Sequence, residues 1–295
     1  MLPIAMVAGV LFHGAIDAAQ FMVPYLIFTM LLITFCRVRP SELRITKMVW
    51  ILLSVQGLGS IVLFAALRPL GLSFAQAAFI CVLCPTATAA PVVTGMLGGS
   101  IARVATYSII SNLAVAILSP VLFVWVGGNV EDLGFWQQFV TIASKVAPMI
   151  LLPLLTAFLL YFFARPVHDA IDRYQGVSFY LWAVSLVLVV GKSVNFMLSE
   201  PSSEIPSMIA IGLFSGLLCI AQFLCGRRVG AACGDVVSAA QGLGQKNTVL
   251  AIWMTLTYFE PLASIGPAAY IVWQNSINSA QLYFKMKREN QLQAQ

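Results

Sequence analysis

Charged residues are scarce in this sequence of 295 residues, of which 9% are charged and 60% are hydrophobic. A typical soluble domain has about 25% charged residues, and so few charges cannot cover a surface that faces water. We therefore exclude a soluble protein and predict an integral membrane protein. The net charge of +5 is first a signal of membrane orientation, and it gives no reason to expect nucleic acid as a partner.

Histidine is almost absent as well, with only His13 and His168. These two residues fall on opposite sides of the predicted membrane, so no Ser-His-Asp triad or histidine-rich metal centre assembles. The six cysteines lie in or beside apolar stretches, where a role as small apolar filler is favoured over redox or zinc chemistry. We predict no enzyme activity, no metal site and no cofactor.

Hydrophobic runs separated by charges and by Gly or Pro clusters predict ten membrane-spanning helices. The predicted spans are 1–17, 20–36, 47–67, 73–97, 103–126, 138–164, 177–198, 206–226, 231–257 and 263–284. The first run begins at Leu2 without a basic segment before it. We therefore interpret it as a true span and not as a cleaved signal peptide.

Basic residues collect in alternate connections between these spans. One side has Arg37, Arg39, Arg44, Lys47, Arg103, Arg165, Arg173, Arg227, Arg228, Lys285, Lys287 and Arg288, and the other has Arg68 with Asp17, Glu131, Asp132, Glu200, Glu204 and Glu260. Because Lys and Arg are enriched in cytoplasmic loops, we predict that both termini are cytoplasmic.

The ten spans divide into five and five around an acidic connection, Gly127 to Gly134. An odd number of spans in each half gives the halves opposite orientations, as in transporters with inverted repeats. We predict a first repeat over 1–126 and a second over 138–286.

The fourth span of each half is interrupted. Cys84 to Pro91 contain two prolines six residues apart, and Gln241 to Thr248 combine two glycines with five polar side chains. Proline removes a helical N–H group, and unwound backbone at this depth must be buried in protein or line an aqueous cavity. Ordinary kinks and glycine contacts explain either break alone, but two breaks at matching positions favour a transport site.

Several short segments resemble the bile acid:sodium symporter family. They are Cys84-Pro85-x-x-Thr88-Ala89, Gly244-x-x-Asn247 and Trp273-Gln274-Asn275, together with Gln56 in the third span. The resemblance implies an all-α fold of ten transmembrane helices in two inverted repeats, with helices 4 and 9 crossing at their breaks. It also implies a panel domain at about 1–36 and 138–198 and a core domain at about 47–126 and 206–286.

The same resemblance implies a carrier in a bacterial inner membrane that moves an organic anion, such as a bile acid or a small carboxylate, by alternating access. The substrate would contact Thr88, Gln245, Asn247 and Asn275, and an ion-site region would include Gln56, Thr88, Ser108, Gln241 and Lys246. Expected partners are the anion and membrane lipid, and the chain would be a monomer or a weak homo-oligomer.

The coupling ion is where the sequence departs from the family, whose sodium sites use a carboxylate in the ninth helix. Gly242 stands at that position, with Gln241 beside it, and Ala90-Pro91 replace a Ser-Asn pair. Hard cations need oxygen ligands. Those that remain at Thr88, Ser108 and Gln56 are too few for two strong sodium sites.

Lys246 replaces a glutamine of the family and lies deep in its span. Arg228 and Glu260, towards the two ends of the span, are 18 and 14 residues away, which is about 20 Å or more of helix. A lysine this deep suggests a function, so we predict that its ammonium group replaces the coupling cation. Transport would then be independent of sodium, either facilitated or proton-linked.

Three alternatives stay open. A conventional sodium:organic anion symporter is the first, and a channel is less favoured because no ring of charges or repeated filter motif is evident. A retinal-type receptor bound at Lys246 is the most remote.

Overall fold

The computed structural model describes residues 2–37, 43–127, 134–199 and 201–293. Within these ranges the regular structure is helical and no β-strand is present, in agreement with the predicted all-α fold. The first part contains α1 (Leu2–Leu11), α2 (His13–Ile16), α3 (Val23–Cys36), α4 (Lys47–Leu67), α5 (Leu72–Leu83), α6 (Ala90–Met96) and α7 (Ile101–Gly127). The second contains α8 (Phe135–Phe163), α9 (Arg165–Arg173), α10 (Gln175–Ser199), α11 (Ile205–Cys233), α12 (Val236–Gly244), α13 (Thr248–Tyr258) and α14 (Ile265–Gln293).

Five stretches of the described chain are long and apolar enough to cross a membrane, by length and composition. They are Ala18–Cys36, Lys47–Leu70, Ile101–Gly127, Phe135–Phe163 and Ser202–Cys233. Each overlaps one of the predicted spans, and Leu72–Leu83, Ala183–Ser199 and Thr248–Tyr258 are shorter apolar helices. These helices support an integral membrane protein, whereas the ten-helix inverted repeat stays a prediction.

Both interruptions predicted from the sequence are present. The span expected at 73–97 consists of α5 and α6, which are separated by residues 84–89. The span expected at 231–257 consists of α12 and α13, which are separated by residues 245–247. The first predicted span is also divided, between α1 and α2.

The helix α9 was not predicted, because its charged residues resemble those of a loop. Pro166 lies in its first turn, where proline is tolerated. Arg165 stacks on the ring of Tyr161 at 4.2 Å and pairs with Asp169 at 3.3 Å. The hydrogen bond with His168, together with the positive charge of Arg165, lowers the pKa of Asp169. The helix is therefore amphipathic, with charges that pair along its polar side.

Two groups of helix contacts can be distinguished, and α7, which packs against α8, joins them. In the first, α1 and α3 pack against α10, and α3 also packs against α8. In the second, α4 and α5 pack against α11, and α14 packs against both α5 and α11. In a hydrophobic core that includes residues of both groups, the ring of Phe79 lies 5.9–6.3 Å from the rings of Phe64, Phe123 and Phe259. The panel and core domains, and their boundaries, stay predictions.

The antiparallel pair of α11 and α12 directs the second break towards the first. Gly234 joins them with a φ of +77°, a conformation that favours glycine. A Cβ atom at Gly226 would lie 2.5 Å from the Ala239 carbonyl oxygen, so these two backbones touch. Asp235 accepts a hydrogen bond from the N–H group of Ser238 at 3.0 Å and so caps the start of α12.

Several predicted charges lie outside the described residues. They include Arg39 in the basic connection, Glu131 and Asp132 in the acidic connection, and Glu200.

Candidate functional site

The two interrupted segments meet in antiparallel orientation, with Thr86 opposite Lys246. The N–H group of Ala87 donates to the Gln245 carbonyl at 3.0 Å, and the N–H group of Asn247 donates to the Pro85 carbonyl at 2.8 Å. Each break thus supplies hydrogen bonds that the other has lost, as buried peptide groups require. We name residues 84–89 and 245–247 the crossover.

The local sequence explains why the helices stop and restart here. Pro85 provides no N–H group, and Cys84 before it has left the helical conformation, with a ψ of 139°. Pro91 lies in the first turn of α6, where no N–H donor is needed. Asn247 caps α13, because its side-chain oxygen accepts a hydrogen bond from the N–H group of Leu250 at 3.2 Å.

Lys246 lies inside the crossover with a relative exposure of 2%. Its Nζ donates to the Val82 carbonyl at 2.8 Å, in the last turn of α5, where the helix dipole is negative. The thiols of Cys81, Cys84 and Cys219 are close enough to interact electrostatically with the ammonium group of Lys246. Among the ion pairs of the described residues, none joins a carboxylate to Lys246. A helix end and neutral groups therefore surround this cation.

The last helix contacts the crossover through Gln274. Its Oε1 accepts a hydrogen bond from the N–H group of Lys246 at 2.9 Å, and its Nε2 donates to the carbonyl of Lys246 at 3.3 Å. The neighbouring Asn275, which the sequence suggested as a substrate contact, donates to the Ile271 carbonyl of its own helix at 2.7 Å. Successive residues of a helix point about 100° apart. The described hydrogen bonds therefore join Gln274, and not Asn275, to the crossover.

Gln56 connects α4 to the end of α5 and to α7. Its Nε2 donates to the Leu83 carbonyl at 2.6 Å, while its Oε1 accepts from the Tyr107 hydroxyl at 2.7 Å and from the Ser111 hydroxyl at 2.9 Å. All of these side chains are buried. Gln56, predicted as part of the ion-site region, therefore has both ends of its amide engaged by the protein.

Gln241 and Gln245 are buried one turn apart and hydrogen-bonded to each other, with Gln245 donating. Gln241 in turn donates to the Oε1 of Gln281 at 2.8 Å. Beside them, a Cβ atom at Gly242 would lie 2.9 Å from the ring of Tyr107. An aromatic ring thus lies against Gly242, so a larger side chain at this position would displace Tyr107.

Thr88 and Ser108 line a small cavity between α3 and the crossover. Thr88 is half-buried, and Ser108 is 2% exposed. The Ser108 hydroxyl and the Oδ1 atom of Asn112, one turn further along α7, have no hydrogen-bond partner among the described residues. Of these two residues, Ser108 is one that lines the cavity.

Tyr270 and Gln222 are among the site residues that were not predicted from the sequence. The Tyr270 hydroxyl donates to the Gly244 carbonyl at 2.9 Å and accepts from the Nε2 of Gln222 at 3.0 Å. Gln222 also donates to the Cys81 carbonyl at 3.2 Å. A lone amide in the apolar sequence of α11 was a usable signal, because buried polar groups in membranes need partners.

The side chains that commonly bind metals are not clustered in the described structure. Over the described ranges, no group of three or more His, Cys, Asp or Glu side chains could hold a metal ion. The six cysteines are free thiols.

The chain has a distant similarity to a known protein. No family model matches this chain. A protein of Bacillus subtilis (strain 168), named uncharacterized sodium-dependent transporter YocS, is 23% identical over 213 residues. The match covers 72% of this chain and 64% of the relative, so the chain spans less than two thirds of the relative's length. Together with the apolar helices, this similarity supports a membrane transporter.

Proposed function

We propose that this protein is a secondary transporter, without enzyme activity, that moves an organic anion across a bacterial inner membrane by alternating access. Its substrate is a bile-acid-like molecule or a small carboxylate, and both termini are cytoplasmic. The crossover, where two broken helices meet around the buried Lys246, carries this proposal. Such a meeting point offers helix ends and free backbone groups to substrates and ions.

The proposed motion displaces the panel, at about 1–36 and 138–198, against the core, at about 47–126 and 206–286. Thr88, Gln245 and Asn247 belong to the crossover or adjoin it, and they are the proposed substrate contacts. Asn275 stays a candidate on α14, where it would need to exchange its bond to Ile271 for a bond to substrate. The chain acts as a monomer or a weak homo-oligomer.

Lys246 takes the place of the coupling cation in this proposal. Its ammonium group already binds a carbonyl at the negative end of α5. The ring of Tyr107 against Gly242 leaves no room for the carboxylate of a sodium site unless that ring moves. Transport is therefore independent of sodium, and is either facilitated or linked to protons.

A conventional sodium:organic anion symporter is the second candidate. The name of the Bacillus subtilis relative favours it. The unpartnered oxygens of Ser108 and Asn112 also favour it, because they are of the type that hard cations bind. A channel is the third candidate, and saturable counterflow would distinguish either carrier from a channel with ohmic currents.

Uptake into proteoliposomes tests the role of Lys246. We expect the uptake of labelled cholate, or of labelled small monocarboxylates, to be unchanged when choline replaces sodium. Lys246→Gln should lower uptake by roughly tenfold or more, because a charge-assisted hydrogen bond is lost from the crossover.

The matched control is Lys192→Gln, since Lys192 is an exposed lysine of α10. This variant should transport like the wild type. Wild-type uptake that disappears in choline would contradict sodium independence and favour the symporter. Equal uptake by the wild type and by Lys246→Gln would remove Lys246 from the mechanism.

A further inference from the structure

The cavity between α3 and the crossover does not belong to the hydrogen-bond network around Lys246. It is lined by Thr34, Arg37, Thr88, Pro91, Ala105, Ser108 and Ile109. Its volume of about 20 Å³ is close to that of one water molecule or one small polar group. It is therefore large enough for the head group of a ligand, and not for the whole of a larger molecule.

Ser108 supplies the cavity with a buried hydroxyl group that has no partner in the described structure. Serine and threonine in helices commonly donate back to the carbonyl four residues earlier. Thr106, on the same helix, does so at 2.9 Å to the Ala102 carbonyl. An unpartnered buried hydroxyl is unfavourable, so a ligand that accepts its hydrogen bond would be favoured in this cavity.

Arg37 gives the same cavity a positive charge. It follows the last residue of α3 and is half-buried. Its guanidinium group forms no ion pair within the described ranges. Asp172 interacts electrostatically with the adjacent Cys36, but none of the described residues that line the cavity carries a carboxylate. A guanidinium group matches the planar, two-oxygen geometry of a carboxylate. The charge of Arg37 thus favours an anion over a cation in this cavity.

We propose that this cavity is the subsite for the carboxylate group of the transported anion. Arg37 provides the charge, and the hydroxyl groups of Ser108 and Thr88 donate hydrogen bonds to the carboxylate oxygens. This proposal rests on the proposed function and specifies its substrate class as carboxylates. Arg37 directly follows the first part of the proposed panel, which ends at about residue 36, and Thr88 and Ser108 lie in the proposed core. One bound carboxylate would therefore connect the end of the panel helix to the core.

Thermal denaturation of the purified full chain in detergent tests the subsite. The probes are straight-chain monocarboxylates from acetate to hexanoate and cholate, each paired with its neutral amide. The carboxylates should raise the melting temperature of the wild type, and the amides should not. Arg37→Gln and Ser108→Ala should each weaken the apparent carboxylate affinity roughly tenfold or more, as expected for hydrogen bonds to a charged group.

Two features keep this result separate from a folding defect. The matched control is Arg44→Gln, because Arg44 is an exposed basic residue in the connection that follows Arg37; it should retain wild-type affinity. Ser108→Ala removes a hydroxyl that has no partner, so the melting temperature without ligand should stay unchanged or rise.

The outcomes separate the subsite from the function. If no carboxylate stabilises the wild type, both the proposed function and the subsite are overturned. If carboxylates stabilise Arg37→Gln and Ser108→Ala as well as the wild type, the subsite alone is overturned and the transporter remains. If chloride, tested against a sulfate background, stabilises the protein as strongly as the carboxylates do, the cavity is a halide site and the carboxylate assignment is wrong.

Discussion

Single polar side chains determine how the broken helices are held. Gln56 donates to the end of α5 and accepts from Tyr107 and Ser111, so one amide joins three helices. Water cannot replace these partners inside a membrane protein, and unpaired groups there are expensive. Loss of this amide should therefore damage the fold as well as transport.

Gln56→Leu tests this expectation. The substitution removes the buried partner of two carbonyl and two hydroxyl groups. Because an unpaired buried group costs about 1–3 kcal/mol, the free energy of unfolding should fall by about 3 kcal/mol or more. Chemical denaturation in detergent measures the change. Ser54→Ala is the control on the same helix, because Ser54 is exposed and donates only to the Trp50 carbonyl of its own helix; similar losses in both variants would contradict the role of Gln56.

The sequence identified some of these residues and could not identify others. Lys246 was recognisable because a charge is rare in an apolar span, and Gln56 was named through the resemblance of short segments to a known family. Tyr107 and Tyr270 were not recognisable, because tyrosine is common in membrane helices and only the fold shows which groups its hydroxyl meets. The contact of Gln274 depends on the rotation of α14, which its sequence does not specify.

At the scale of elements, close contact between α11 and α12 positions the second break. This contact depends on Gly226 and Gly230, where added Cβ atoms would meet backbone atoms at 2.5 Å. Small residues permit such close approach between membrane helices. A rotamer change could not accommodate a side chain at either glycine, because its Cβ atom would clash with backbone atoms.

Gly226→Ala should therefore lower the free energy of unfolding by about 1–3 kcal/mol, as overpacking does. Gly57→Ala provides an opposite control, since a Cβ atom at Gly57 in α4 would meet nothing within 4 Å. That variant should gain about 0.5–1 kcal/mol from the lower flexibility of alanine in a helix. Thermal unfolding of both proteins measures the difference, and a destabilisation of equal size in both would refute the contact.

The sequence predicted the helix boundaries best where a residue type disfavours a regular helix. Proline and glycine marked both interruptions, because they remove donors or loosen the backbone. The predicted end of the eighth span, at residue 226, does not match the end of α11. Arg227 and Arg228 were interpreted as part of a connection, yet the helix continues to Cys233. Long basic side chains can extend from a helix towards the membrane interface, so charge alone does not end a helix.

The whole molecule has a predicted orientation that follows from its basic residues. Lys285, Lys287 and Arg288 belong to the last part of α14 and should lie in the cytoplasm. Glu204 lies between α10 and α11 and should face the opposite side.

Paired reporter fusions test the orientation. A green fluorescent protein fused after Gln295 should fluoresce, and alkaline phosphatase at the same place should be inactive, because that enzyme needs the periplasm. Fusions that end the chain after Ser203 should give the reverse pattern. An active phosphatase at the C-terminus would contradict cytoplasmic termini.

The crossover also has a consequence for biosynthesis. Its hydrogen bonds join residues far apart in the chain: Lys246 and Val82 are separated by 164 positions, and Thr86 and Gly242 by 156. The ribosome delivers the first break long before its partner exists, and domains form from the N-terminal side as synthesis proceeds. A nascent chain therefore carries exposed peptide groups inside the bilayer until translation is nearly finished, and its survival depends on what shields them during that interval.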